Sequence, residues 1–262
     1  LEKIRYSVID EADRMLDIGF RPQIEKIMRR LPKERQSLMM SATLPATVLR
    51  LVHRYMQDPE HVNVTPETMT VDKIEQKYIT VDPEKKFDLL VKVLEREKLR
   101  QCLIFVERKR SADLLYKDLQ RVLPGVAVTH GDLPQPQRER IMAGFRAGKI
   151  AVLIATDVMS RGIDVSGISH IINFDLPNDL ESYVHRIGRT GRMGADGIAI
   201  SFVTPEQGKM LTGIEALINR LIHEDRIEGF EAFTPRVREV EDKPKAAAPV
   251  FGRNSRKYSN RL

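Results

Sequence analysis

Short apolar, β-branched runs alternate with stretches in which apolar residues recur every three or four positions, along nearly the whole chain. In the first 65 residues "YSVID", "SLMM" and "HVNV" predict strands, separated by helical patterns around Ile24–Leu31 and Ala46–Tyr55. Farther on, "CLIFV", "VAVTH", "AVLIA", "HIINF" and "GIAISFV" predict further strands. Phe87, Leu90, Val91 and Leu94 fall at helical spacing, as do Ala112, Leu115, Leu119 and Val122 behind a candidate cap at Ser111. Leu211, Ile214, Ile218 and Leu221 mark a last long helix. Strands that alternate with helices predict an α/β fold, with parallel sheets flanked by helices on both faces. The polar stretch at 66–73 breaks the rhythm and reads as a linker, and the aperiodic 235–262 as a disordered basic tail.

Composition adds limits. A hydrophobic content of 42% supports a packed core, and 31% charged residues with no long apolar run predict a soluble, cytoplasmic protein without a membrane span. The single cysteine, Cys102, lies within an apolar run, which excludes disulfides and cysteine-ligated clusters. The formal charge of +6 belongs to the tail: Lys243–Leu262 holds six Lys or Arg and no acid, so residues 1–242 sum to zero. A body that binds a polyanion must therefore do so with placed groups.

Four stretches carry candidate chemistry. Asp10, Glu11 and Asp13 crowd three carboxylates into "DEAD", just past the first strand, where open α/β sheets place ligands. A carboxylate there can hold Mg²⁺ through its waters, and a neighbouring glutamate can orient an attacking water; a solvated turn opening a helix reads the same letters. "SAT" (41–43) follows the next strand, with hydroxyls able to bridge two loops or merely to shape a turn. "ATDVMSRGIDV" (155–165) sets Thr156, Arg161, Gly162 and Asp164 beyond an apolar strand. "HRIGRTGR" (185–192) combines guanidinium forks with glycines that permit close backbone approach, a combination suited to phosphate oxygens.

Taken in order, "DEAD", "SAT", "ATDVMSRGID" and "HRIGRTGR" resemble motifs II, III, V and VI of the bacterial-type DEAD-box ATP-dependent RNA helicases. "LIFVERK" (103–109), "HGDLPQPQR" (130–138) and "INFDLP" (172–177) resemble further motifs of the family's second RecA-like domain. The resemblance spans about residues 4–223 and implies RecA-like parallel sheets, ATP and Mg²⁺ as cofactors, and RNA held by its backbone without strong sequence preference. It implies that Asp10 holds Mg²⁺ through water and Glu11 positions the hydrolytic water. Asp13 would connect to His185, Ser41 and Thr43 would couple the two domains, Arg189 and Arg192 would reach the γ-phosphate, and Asp164 the ribose. Gly131, Gln135, Arg138, Thr156 and Arg161 would lie near the RNA backbone. Arg108 stands where the family often has an RNA-touching threonine, so that contact does not carry over.

The phosphate-cradling pattern G-x-x-x-x-G-K-[ST] does not occur in the 262 residues. The expectation is therefore a fragment: the C-terminal part of a first RecA-like domain (1–65), the linker (66–73), a complete second RecA-like domain (74–234) and the tail. By resemblance the parent hydrolyses ATP on binding RNA and remodels duplexes or RNA–protein complexes, whereas this chain alone is expected to be inactive in hydrolysis. The alternative is a non-catalytic RNA-binding or adaptor module built on the second domain.

Overall fold

A computed structural model describes residues 1–17, 19–41, 43–63, 74–97, 99–157, 167–191 and 196–233. The chain falls into two compact units, Leu1–Thr65 and Pro66–Leu262. The expected linker and basic tail lie outside the described residues.

The first unit comprises β1 (Tyr6–Ile9), α1 (Ala12–Asp17), α2 (Arg21–Met28), β2 (Gln36–Met39) and α3 (Ala46–Tyr55). β1 and β2 run parallel, with Tyr6 opposite Gln36 and Ile9 opposite Met39. The two-residue period sends Ile9 and Met39 inward against Ile24, Met28 and Leu51, while Tyr6, Val8 and Leu38 stay exposed on the other face. The expected strand "HVNV" does not form in its described part, 61–63; Val64 lies outside the described residues. A strand exists by pairing, and here residues 59–63 face Gln36–Met40 across a groove of about 1100 Å³ instead of joining a ladder.

The second unit is built from β3 (Ile74–Thr80), α4 (Lys86–Arg96), β4 (Cys102–Phe105), α5 (Lys109–Val122), β5 (Val126–Thr129), α6 (Gln135–Arg146), β6 (Val152–Ala155), β7 (His170–Asn173), α7 (Leu180–Ile187), β8 (Gly197–Val203), α8 (Gly208–Ile218) and β9 (His223–Glu224). The strands form one seven-stranded sheet in the order β5-β6-β4-β7-β8-β3-β9, with every pairing parallel. Alternate residues of the central strands feed two cores. Cys102, Ile104, Val152 and Ile154 pack with Leu89, Val93, Leu115 and Leu119 of α4 and α5. Leu103, Phe105, Leu153 and Ala155 pack on the opposite face with Phe145, Tyr183, Ile187 and Ile214 of α6, α7 and α8. The expected two-sided burial is thus present. Cys102 is fully buried, and burial pushes its thiol pKa far up.

Two boundaries differ from expectation. α5 begins at Lys109, with Arg108 as the flanking residue, so Ser111 sits inside the first turn and caps nothing; β4 ends at Phe105 and the connection leaves little chain before the helix. α8 stops at Ile218 because Asn219 adopts the left-handed conformation (φ 50°), which closes a helix. Leu221, expected on that helix, lies beyond it and is 75% exposed.

Candidate functional site

In the first unit the polar residues gather past the carboxyl ends of β1 and β2. The Ala12 amide donates to the carbonyl of Met40 (3.0 Å), and Ala12 is fully buried, so only a small residue fits between the two strand ends. Asp13, 3% exposed, is the hub. Its amide donates to Ser41 Oγ (3.1 Å), and its Oδ2 accepts both the Thr43 amide and the Thr43 hydroxyl, each at 2.8 Å. The "DEAD" and "SAT" stretches are therefore tied to one another by a buried carboxylate and two hydroxyls, a charge-assisted set that fixes where α1 begins.

That anchor orients the two acids before it. Asp10 is exposed, and its Oδ1 accepts the Glu11 amide at 2.9 Å. Glu11 has φ 49°, a left-handed conformation that costs a non-glycine residue about 1–3 kcal/mol and concentrates at functional positions. Its carbonyl receives the Met15 amide and opens the helix. Among the described residues no cluster of three His, Cys, Asp or Glu makes a metal cage. Mg²⁺ needs none, since it keeps several waters and takes one or two carboxylates plus substrate phosphates. An exposed carboxylate at a strand end, with Oδ1 turned to the Glu11 amide, fits that donor set.

In the second unit the expected residues that are described gather past the carboxyl edge of the sheet. Gly131 and Gln135 are exposed, the latter at the start of α6, where it donates to Glu139 (2.7 Å); Arg138, one turn on, is half-buried. Thr129 ends β5 opposite Ala155 at the end of β6 in the parallel register, and His130 and Thr156 are the residues that follow them. The hydroxyls of Thr129 and Thr156 and Nδ1 of His130 are buried without a hydrogen-bond partner among the described residues. His130 Nε2 lies 3.0 Å from Asp113 Oδ1. Lys109 pairs with Asp132 at 2.5 Å, and that hydrogen bond lowers the Asp132 pKa. Three unpaired polar groups at neighbouring strand ends are an arrangement that ligand oxygens can complete.

α7 carries His185–Ile187, the start of "HRIGRTGR", into this edge and is fixed at three points. At its start Asp179 accepts the amide and the hydroxyl of Ser182, both at 2.7 Å. At its end the Thr190 hydroxyl donates to the carbonyl of Ile168 (2.5 Å). Between them Arg186, 1% exposed, is held by four hydrogen bonds. His185 and Arg189 are half-buried at the end of the helix, and Arg189 Nε donates to the His185 carbonyl (3.3 Å), a favourable place for a cation. Arg161, Asp164 and Arg192 lie outside the described residues.

Several structurally decisive residues are not evident from the motifs alone. Arg186 Nε and Nη2 grip both oxygens of Asp157 (2.6 and 2.7 Å), while Nη1 donates to the Asp175 carbonyl and to Asn173 Oδ1 (2.6 and 3.2 Å). Its guanidinium stacks 4.9 Å over Phe105. Asp175, which the sequence places within a motif but gives no role, accepts from Lys86 Nζ (2.8 Å) and from the Glu107 amide (3.1 Å). A signal for Arg186 does exist: with Tyr183 and Ile187 it falls on the inward face of α7.

Comparison with known proteins agrees with this geometry. Residues 1–51 match the DEAD/DEAH box helicase family, and residues 85–194 match the helicase conserved C-terminal domain. The chain is 46% identical over 222 residues to the DEAD-box ATP-dependent RNA helicase CshA of Bacillus subtilis, covering 84% of this chain and 44% of that protein. For CshA of Geobacillus kaustophilus the identity is 45%, covering 84% and 47%. The chain thus spans under half the length of these relatives. Among solved structures, S. cerevisiae Dbp5 bound to RNA and ADP BeF3 aligns with a TM-score of 0.77 at 35% identity over 86% of this chain and 60% of that one. E. coli SrmB, bound to the regulator of ribonuclease activity A, aligns at 0.55 and 32% identity over 62% and 98%. Strand-end acids knotted to a serine–threonine pair, an arginine-bearing helix braced at a parallel sheet's carboxyl edge and these matches agree: the chain belongs to the DEAD-box family of ATP-dependent RNA helicases.

Proposed function

We propose that the protein couples ATP hydrolysis to RNA binding and thereby separates or remodels short RNA duplexes or RNA–protein complexes. The observation that carries the reading is the buried Asp13 knot, which sets Asp10 and the strained Glu11 at a strand end as a pair. In this reading Asp10 holds hydrated Mg²⁺, which supplies charge neutralisation to the ATP phosphates. Glu11 accepts a hydrogen bond from the attacking water and orients it. Arg189 and Arg192 neutralise charge on the transferring phosphoryl group, a contribution worth about 10³–10⁵ in rate for such guanidiniums, and Asp164 accepts from the ribose. Asp13, Ser41, Thr43 and His185 transmit the nucleotide's presence from one domain to the other.

RNA is taken at the carboxyl edge of the second unit by Gly131, Gln135, Arg138, Thr156 and Arg161. The buried Thr156 hydroxyl, without a partner among the described residues, supports this, because a phosphate oxygen satisfies it whatever the base. The domains divide as 1–65 and 74–234, and the protein acts in the cytoplasm. ATP and RNA favour the same arrangement of the protein, so each tightens the other. The 262-residue chain contains no phosphate-cradling loop pattern and on its own turns over no ATP. The test is Glu11→Gln in the full-length gene product: RNA-stimulated phosphate release falls by at least about 10², at the lower end for a general base, while RNA binding persists. Unchanged turnover removes the role from Glu11.

A further inference from the structure

Arg186 is the most deeply buried cation among the described residues of the second unit and lies between two groups of candidate ligand contacts. Its bidentate partner Asp157 directly follows Thr156, the residue read as an RNA contact. Arg186 itself directly follows His185 and precedes by three positions Arg189, the residue read as a phosphate contact, whose amide in the turn closing α7 donates to the Arg186 carbonyl (3.2 Å). The remaining guanidinium hydrogen bonds run to Asn173 at the end of β7 and to the Asp175 carbonyl just past it, and the stacked ring is Phe105 at the end of β4. Asp175 extends the set to Lys86 and to the backbone of Glu107.

A planar fork bound on four hydrogens tolerates little rotation or translation. Any displacement of the segment after β6 is therefore transmitted to α7, and the reverse, because both oxygens of Asp157 would have to leave Arg186 otherwise. A flexible or apolar contact at the same place would fill space without linking the two displacements.

We propose that Arg186 and Asp157 are a positioning pair that makes the Thr156 segment and the Arg189 turn move as one body, so that RNA binding and nucleotide binding within this unit are coupled through them. Neither side chain touches RNA or nucleotide. The pair sets the position of residues that do, and the inference rests on the RNA-dependent ATPase reading above.

The test is linkage in the full-length gene product. The factor by which a non-hydrolysable ATP analogue tightens binding of a labelled single-stranded RNA is measured, together with the factor by which that RNA tightens binding of the analogue. The two must agree, and such factors commonly lie between about 5 and 150. In Arg186→Lys, which keeps the charge and loses the fork, and in the isosteric Asp157→Asn, both factors fall toward one, by at least about fivefold. A purely structural role gives a different signature: loss of folded protein lowers the active fraction and the titration amplitude but leaves the factor of the surviving molecules unchanged. Unaltered factors in both variants overturn the proposal. A wild-type protein in which analogue and RNA show no mutual effect overturns the parent reading, and this one with it.

Discussion

Gly197 opens β8 and sits against the turn that follows α7. A Cβ built there would lie 2.5 Å from Thr190 Oγ1, 2.6 Å from Thr190 Cγ2 and 2.6 Å from the backbone nitrogen of Gly191. Ordinary contacts are 3.4 Å or more, so Gly197→Ala demands a displacement of about 1 Å from one of two partners. The strand cannot supply it cheaply, because it is laddered to β3 through Ile74↔Gly197 and to β7 through His170↔Ile198. The turn is the softer side. Moving it stretches the buried hydrogen bond from Thr190 to the Ile168 carbonyl.

Overpacking of this kind costs about 1–3 kcal/mol, and a buried pair left unsatisfied adds about 1–3 kcal/mol. The lower entropy of an unfolded alanine returns only about 0.4–1 kcal/mol. The expected net loss is about 2–4 kcal/mol, or roughly 5–12 °C in Tm for a unit of this size. Gly208→Ala is the matched control: it starts α8 with helical backbone angles (φ −54°, ψ −39°) and nothing within 4 Å of a new Cβ, so it should gain up to about 1 kcal/mol. Urea denaturation of the 262-residue chain, followed by far-UV circular dichroism, reads both variants. A Gly197→Ala protein as stable as the wild type would refute the close-packing argument.

Three further outcomes are expected. Burial depresses the His170 pKa and so favours the neutral ring in the folded unit; the contribution to stability is complete above the unfolded value of about 6.5 and is lost as pH falls from there toward the folded pKa. Urea midpoints between about pH 7.5 and 5.5 should therefore fall more steeply in the wild type than in His170→Gln, and equal slopes would contradict it. Cys102, fully buried with its thiol pKa raised, should react with an aromatic disulfide reagent only at the rate of unfolding; rapid native-state labelling would place it elsewhere. Ending the chain after Asp242 removes six basic residues and should lessen the salt dependence of RNA binding by about 0.7 in log–log slope for every phosphate those residues neutralise, whereas an identical slope denies the tail a part.

The strands most legible in the sequence are those whose burial is continuous: Cys102–Phe105 and Val152–Ala155 are buried at every position and read as unbroken apolar runs. β3 is hard to see because in "IEQKYIT" Ile74 and Ile79 feed opposite cores, Gln76 is a buried polar residue and Glu75 is exposed, so neither an apolar run nor a clean alternation results. The position of Asp13 beside Ser41 and Thr43 is not legible either, because a parallel register brings together residues about thirty positions apart that local pattern does not link. Arg186 illustrates the opposite difficulty. Its place in a basic motif invites a solvent-facing reading, yet its helical phase sets it with Tyr183 and Ile187, and the fork buries because Asp157, Asn173 and Asp175 converge on it.

The buried polar groups at the carboxyl edge of the second sheet divide into two kinds. Arg186, Asp157, Asn173, Asp175 and Lys86 satisfy one another almost completely, with Asn173 passing a further hydrogen bond to Ser201 (3.0 Å). A set of that sort is rarely the most stabilising filling available, since apolar residues of equal volume often do as well; what it confers is fixed position. Thr129, Thr156 and His130 are the other kind, each with a buried polar atom that has no partner among the described residues, an arrangement that costs about 1–3 kcal/mol where no ligand completes it. Both kinds stand at the ends of adjacent strands. Had the orphans arisen from careless packing, nothing would require a rigid frame next to them. A rigid neighbour makes physical sense if the orphaned groups must hold a fixed geometry until ligand oxygens arrive, because only then does their energetic cost return as binding specificity.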